Sequence, residues 1–456
     1  MLNIGNYQTR DCQGMSRRSF LKIGTALPLV GSLPLAGHLS NLASAAESAH
    51  AKSIMLVWLL GGPSHLDLFD PKPLAPMEYR GPFSTIDTKT PGVRFTELLP
   101  QLAARSDRFS LVRTNINYNG GHRPAGSIGM TGGVATDGGE DGAGTPLGYP
   151  PNFGSILSRH RGDADLPGFM SIGRNHPGDG VGLSLGYGGG KWGKRYDPFL
   201  IACSDNSEVS LPELKLLDGL NPSRLINRQL VLKQLDDARR DLDSRAFEQW
   251  DNLYKRAYSL LNSSETIQAF DLASESEETR RAYGKTSFGQ SCLLGRRLVE
   301  AGVPYVQVNW SQFVEVFFSF SDYGWDTHSD NFGLLADWHG PLLDRTFSVL
   351  LDDLEDRGML DSTLVVCMGE FGRTPRINDI ASRDHWHPCY FSLWAGGGVK
   401  PGRVVGTSDN NGEFPAVDPI SPEMVGTTML ELAGVTTQIR AEMNVLPTGR
   451  LIDGLL

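Results

Sequence analysis

Carboxylates and imidazoles stand beside four apolar runs of this chain, and together they are the raw material of a metal site. The run Ser53–Leu60 is followed by Gly61-Gly62-Pro63-Ser64-His65-Leu66-Asp67-Leu68-Phe69-Asp70. Val303–Trp310 is followed by a loop holding Trp325-Asp326-Thr327-His328. Thr363–Met368 leads into Gly369-Glu370-Phe371-Gly372-Arg373, and Arg383-Asp384-His385-Trp386-His387 precedes Tyr390–Ala395. Alternate side chains of an extended segment share a face, so Asp326 and His328 could bind one ion together. The acids and histidines of these four segments are the candidate ligands. Their mixture of oxygen and nitrogen donors suits zinc, manganese or iron better than calcium alone. Each piece has a plainer reading: a loop histidine is commonly satisfied by backbone, and Glu370 could pair with Arg373. The coincidence of four such clusters beside four runs is what favours the metal.

Other residues have a looser claim. Arg373, Lys191 and Arg195 could hold an anionic group, arginine through two parallel hydrogen bonds. Ser64 and Ser127 lack the G-x-S-x-G frame of one large class of serine hydrolases. His65, His176 and His387 either line the site or are ordinary loop histidines.

The elements that must position these residues are legible in outline. Ser53–Leu60 is continuously apolar and stops at Gly61-Gly62-Pro63, which predicts a strand buried on both faces of a parallel sheet. Phe109–Arg113, Val303–Trp310, Thr363–Met368 and Tyr390–Ala395 repeat the pattern. Leu342–Arg357 carries apolar residues at helical spacing and runs into Gly358, a C-cap signal. Strands alternating with helices predict an α/β sheet sandwich. In such sheets ligands bind at the carboxyl ends of the strands, where the four clusters lie. Residues 222–302 are rich in Leu, Arg, Asp, Glu and Gln and predict a helical insert or cap. The Gly-rich stretches 132–148 and 180–193 predict surface loops.

Composition bounds the partners. Acids outnumber bases 52 to 42, for a net charge of −10. That excludes sequence-independent nucleic-acid binding, which needs a basic face. Ser16-Arg17-Arg18-Ser19-Phe20-Leu21-Lys22 matches the twin-arginine export motif S-R-R-x-F-L-K. A mildly apolar stretch, Ile23–Ala36, follows, too short and too weak to span a bilayer stably. Ala43-Ser44-Ala45 supplies a cleavage site, so residues 1–45 read as a signal peptide and 46–456 as the mature domain. The expected partner is the twin-arginine machinery, and the expected location the periplasm or cell exterior. Export in the folded state makes disulfides among Cys203, Cys292, Cys367 and Cys389 unexpected.

The order of the motifs resembles the alkaline phosphatase and sulfatase superfamily. More closely it resembles an exported, sulfatase-like bacterial family known as domain of unknown function 1501. The resemblance rests on GGPSHLDLFDPKP at Gly61–Pro73, HRPAGSIGMTG at His122–Gly132, GWDTH at Gly324–His328, GEFGRTP at Gly369–Pro375 and RDHW at Arg383–Trp386. It implies an alkaline-phosphatase-like sandwich, a central, mostly parallel sheet flanked by helices, with a divalent metal, zinc, manganese or calcium, at the carboxyl edge of the sheet. It implies that Asp67 answers the first-strand aspartate, Asp326 and His328 the mid-chain Asp/His pair, Glu370 an aspartate ligand and His385 the last histidine. Sulfatases carry C-x-P-S-R-x-x-x-x-T-G, whose Cys becomes the nucleophilic formylglycine, and phosphatases carry Ser or Thr there. Here the spacing runs His122-x-Pro124-Ala125-Gly126 to Thr131-Gly132, so His122 replaces the nucleophile and Gly126 the arginine.

The resemblance makes His122 a metal ligand, a phosphohistidine-type nucleophile, or the helix-opening residue of a degenerate site. A helix is expected from His122 toward Thr131-Gly132, its N-terminus favouring an anion and a neutral, metal-coordinating His122. Phe371 stands where a further ligand could sit. The implied function is an exported metal-dependent hydrolase of sulfate or phosphate esters, with His122 and Arg373 as catalytic residues and an anionic small-molecule or glycan substrate. The alternative is an inactive, metal-containing binding protein for an anionic glycan or a protein partner.

Overall fold

The computed structural model describes residues 49–133, 148–162, 166–173, 186–210, 268–310 and 324–456. The chain divides into a unit of residues 1–49 and a unit of residues 50–456, and the second holds the sheet, its helices and the candidate ligands. The expected export signal, His176 and residues 222–267 lie outside the described residues.

The strands of the central sheet and of the site, in chain order, are β1 (Ser53–Leu59), β2 (Ser110–Asn115), β3 (Phe169–Ile172), β4 (Phe199–Cys203), β5 (Val209–Ser210), β6 (Tyr305–Trp310), β7 (Thr363–Met368), β8 (Gly372–Arg373), β9 (His385–Trp386), β10 (Tyr390–Ala395) and β11 (Val404–Val405). Nine of them form one sheet in the order β11-β2-β10-β7-β1-β6-β3-β4-β5, while β8 and β9 form a separate two-residue ladder. Only β10 and β5 run against the rest. The sheet is therefore mixed but mostly parallel, with β1 at its centre between β7 and β6.

Helices cover both faces. They include α1 (His122–Thr131), α2 (Phe153–Arg161), α3 (Glu277–Tyr283), α4 (Ser287–Glu300), α5 (Gly340–Asp356) and α6 (Pro422–Leu432). Every residue of β1 is buried. Met55, Val57 and Leu59 pack with Phe288, Leu293, Phe347 and Leu350 of α4 and α5. Ile54, Leu56 and Trp58 face the other way, onto Phe153 and Ile156 of α2 and Val425 and Met429 of α6. Strand alternation splits one apolar run between two cores. Each large side chain buried this way contributes about 1.5–3 kcal/mol.

The described part of the helical stretch 222–302 is α3 and α4, and α4 packs on β6 and β1 as a core layer of the sandwich. Thr286 caps α4, its hydroxyl accepting from Gly289 N. The helix expected over Leu342–Arg357 spans Gly340–Asp356 and is preceded by a π-helical turn, Leu335–His339. Gly358 follows with φ +66°, a conformation that favours glycine. No cysteine among the described residues is in a disulfide. No helix among them is long and apolar enough to cross a membrane.

Candidate functional site

Segments far apart in sequence meet at the carboxyl ends of the parallel strands. His122 opens α1 after Gly121, whose extended backbone closes the loop from β2. Asp326 and His328 lie on the segment between β6 and α5, and Glu370 follows β7 directly. Arg373 and His385 are register partners in the β8–β9 ladder. Opposed residues of an antiparallel pair share a face. Both side chains accordingly reach one oxygen, Asp326 Oδ1, with Arg373 Nη2 at 2.6 Å and His385 Nε2 at 3.0 Å. His328 Nε2 is 3.0 Å from the same oxygen, and His122 Nε2 is 3.0 Å from Oδ2. The Nε2 atoms of His328 and His385 are 2.9 Å apart.

The cluster is graded in depth. The side chains of Glu370 and Arg373 are 0% exposed, while His122 is 10%, His385 23% and His328 37% exposed. The mouth is therefore on the side of His328 and His385, and the floor is Glu370 and Arg373.

Outer partners assign the protons. His385 Nδ1 donates to Gly120 O at 2.8 Å, and His328 Nδ1 donates to Asp384 Oδ1 at 2.9 Å. A neutral ring with its proton on Nδ1 presents a bare lone pair at Nε2. Two such nitrogens and a carboxylate oxygen, mutually within 3.0 Å, repel one another unless a proton or cation lies among them. Metal-binding histidines carry this same outer hydrogen bond to a carbonyl or carboxylate. One ligand atom each from His122, Asp326 and His385 also lies within 4.8 Å of the others. Deeper in, Glu370 Oε1 accepts from His122 Nδ1 at 2.7 Å and from Gly61 N at 2.8 Å, whereas buried Oε2 has no hydrogen-bond partner. This donor set, with an orphaned buried carboxylate oxygen beside it, fits a divalent metal ion.

Without an ion the cluster balances itself with protons. Burial alone would raise the Asp326 carboxyl, but hydrogen bonds from His122, His328 and His385 hold it well below the usual carboxylate range. Burial lowers His122, yet its bonds to Asp326 and Glu370 outweigh this and push it up to about 9. In the absence of a metal, the two carboxylates that face its two nitrogens at close range outweigh the helix N-terminus, which disfavours the charge. The hydrogen bond to Asp326 raises His328, and burial lowers His385.

Other expected residues fall elsewhere. Asp67 is not among the residues brought together. Its oxygens accept from Arg383 Nε at 2.7 Å, Arg383 Nη2 at 3.0 Å and Asn331 Nδ2 at 3.0 Å. Asp67 lies in a buried guanidinium fork and ties its own segment to those of Asn331 and Arg383. Arg373 is fully buried and offers no face to a ligand. Its Nε donates to Gly62 O at 2.9 Å and its Nη2 to Trp325 O at 3.0 Å and to Gly61 O. Its carboxylate partner is Asp326, not Glu370. Phe371 packs its ring 4.5 Å from that of His385 and 5.2 Å from that of His122. Gly126 packs so closely on Tyr187 that a Cβ there would collide with the phenol hydroxyl, which leaves no room for an arginine.

The remaining candidates have structural partners. Lys191 Nζ donates to Asn444 O at 2.9 Å, and Arg195 lies over the Tyr196 ring. His65 Nε2 donates to Gly412 O at 2.8 Å, and His387 Nδ1 to Asn117 O at 2.9 Å. Ser64 accepts from Asp67 N, and Ser127 donates to Arg123 O. Sequence reasoning passed over Asp384, Arg383 and Asn331. The first two stand inside the RDHW motif, where an acid and a base flanking a histidine were the available signal.

Among solved structures, the chain is similar to the PsFucS1 sulfatase from Pseudoalteromonas sp., at 12% identity over 92% of this chain and 75% of that one, with a TM-score of 0.38. It is similar to the lipoteichoic acid synthase LtaP from Listeria monocytogenes, at 9% identity over 91% and 81%, TM-score 0.39. It is similar to the phosphonate monoester hydrolase SpPMH from Silicibacter pomeroyi, at 10% identity over 89% and 76%, TM-score 0.34. Comparison with curated proteins gives no match. Residues 51–445, nearly the whole of the described unit and every segment of the site, match the family described as protein of unknown function (DUF1501), and the chain belongs to that family.

Proposed function

We propose that this chain is an exported, metal-dependent hydrolase of sulfate or phosphate esters. The observation that carries the reading is the meeting of His328 Nε2, His385 Nε2 and Asp326 Oδ1 within 3.0 Å, each imidazole anchored behind by its Nδ1. Asp326, His328 and His385 would hold the ion, with His122 and Glu370 behind them; Asp67 is left out of this set. A divalent ion there, zinc, manganese or calcium, supplies Lewis acidity at the ester oxygens. Water replaces the side-chain nucleophile that the His122 position lacks. His122, hydrogen-bonded to Asp326 and Glu370, holds a proton beside the site and can give it up as an ester oxygen leaves. The positive end of the α1 dipole favours an anion. Arg373 fixes Asp326 from below.

The test is metal analysis of the purified mature protein together with turnover of chromogenic sulfate and phosphate esters. Metal and turnover are expected in the native protein, and both are expected to fall at least about tenfold in His385→Ala. Absence of metal sinks the proposal. A second reading, a metal-containing binder of an anionic glycan or protein, is favoured by the clamping of His122 between two carboxylates with no hydroxyl or thiol in its place. Metal without turnover on a broad ester panel selects that reading.

A further inference from the structure

Resting on the metal reading above, we propose that the site takes one divalent ion, because the Arg373 guanidinium is a second, permanent cation built into its floor. The shell around this guanidinium is made of oxygens. Nε meets Gly62 O at 2.9 Å, and Nη2 meets Trp325 O at 3.0 Å, Asp326 Oδ1 at 2.6 Å and Gly61 O. Nη1 meets Arg383 O at 3.4 Å. Four carbonyls and a carboxylate, fully enclosed, are the kind of donors that a hard metal ion accepts. Here they are occupied by a charge that cannot dissociate from the chain.

The backbone makes the substitution permanent. Arg373 is opposite His385 in the two-residue ladder, so cation and imidazole are delivered side by side to one carboxylate. The Gly61-Gly62 turn at the end of β1 is held from both sides. Its Gly61 amide donates to Glu370 Oε1, and its two carbonyls accept from Arg373. Asp326 is thereby bridged: Arg373 takes Oδ1 from below, while the histidines approach from His122 and from the mouth. An ion among the histidines has Asp326 in common with Arg373. A second divalent ion would have to displace the guanidinium from its carbonyls.

The charge of Arg373 also opposes the first ion. Removing it should tighten that ion and open a second place. The experiment measures divalent ions bound per chain, by elemental analysis after equilibration with zinc, manganese or calcium, and their affinities by titration calorimetry. The native protein is expected to bind one ion. Arg373→Ala is expected to bind two, or to bind one with affinity raised ~tenfold or more, and added guanidinium ion should reverse either effect. Two ions on the native protein overturn the inference while leaving the metal reading intact. No ion on the native protein overturns the metal reading, and the inference with it. One ion on Arg373→Ala with unchanged affinity and no response to guanidinium overturns the inference alone. Should Arg373→Ala fail to fold, Arg373→Met, which keeps the stem and drops the charge, is read by the same criteria.

Discussion

Asp67 and Asp326 both end in the grip of an arginine, yet only Asp326 also faces imidazole. The difference decides what each can do. Asp67 and Arg383 form a buried pair with neither side chain exposed, and removing one charge strands the other away from water. Asp67→Asn keeps the volume and the Asn331 contact in part but leaves Arg383 uncompensated. We expect a loss of about 3–5 kcal/mol of stability, read by denaturant unfolding. The molecules still folded should bind metal at the native stoichiometry. A selective loss of metal at unchanged stability would instead make Asp67 a ligand. The sequence marked both aspartates equally, because each is an acid in a loop beside an apolar run. Which one meets histidine depends on where Arg373 and Arg383 are placed, and that is set by the register of a ladder two residues long, below the reach of any periodicity.

At the scale of elements, the long helix after the site was legible from Leu342 onward by its apolar spacing, but its entry was not. The π-helical turn Leu335–His339 has no sequence signature of its own. What calls for it is packing: it swings the His339 ring to 4.7 Å from Trp325 and 5.5 Å from Trp310, in the core behind Asp326. Burial lowers His339 from 6.5 to about 4, and the backbone of Gly324 and Leu334 offsets this only in part. The unfolded chain therefore binds a proton that the folded chain refuses between those two values. The contribution is fully present above pH 6.5 and is lost as the pH falls toward 4, by roughly 3 kcal/mol. Denaturant unfolding at pH 7 and pH 4.5 should show a steeper acid loss in the native protein than in His339→Phe. Equal slopes would remove His339 from the account.

At the scale of the whole molecule, the central strands were legible because they are buried on both faces and read as unbroken apolar runs. The outer strands β3, β4, β5 and β11 were not, being two to five residues long and bounded by glycine-rich or polar segments. The proposed export signal at Arg17 and Arg18 makes its own prediction. Changing both to Lys should leave unprocessed precursor in the cytoplasm, seen by fractionation and immunoblotting, and mature protein outside the inner membrane would show another route. The central place of β1 has a kinetic meaning as well. Ser53 lies beside Thr363, and Ile54 beside Tyr305, so the first strand made is completed by some of the last. At a ribosome's pace of ~5–20 residues per second, SIMLVWL waits roughly 15–60 s for its second neighbour to be synthesised. Through that interval a largely apolar strand, buried throughout in the fold, has no native partner on that side. Its protection during synthesis has to come from outside the fold, and the cluster of His122, Asp326, His328 and His385, completed only beyond that interval, is among the last things the chain can assemble.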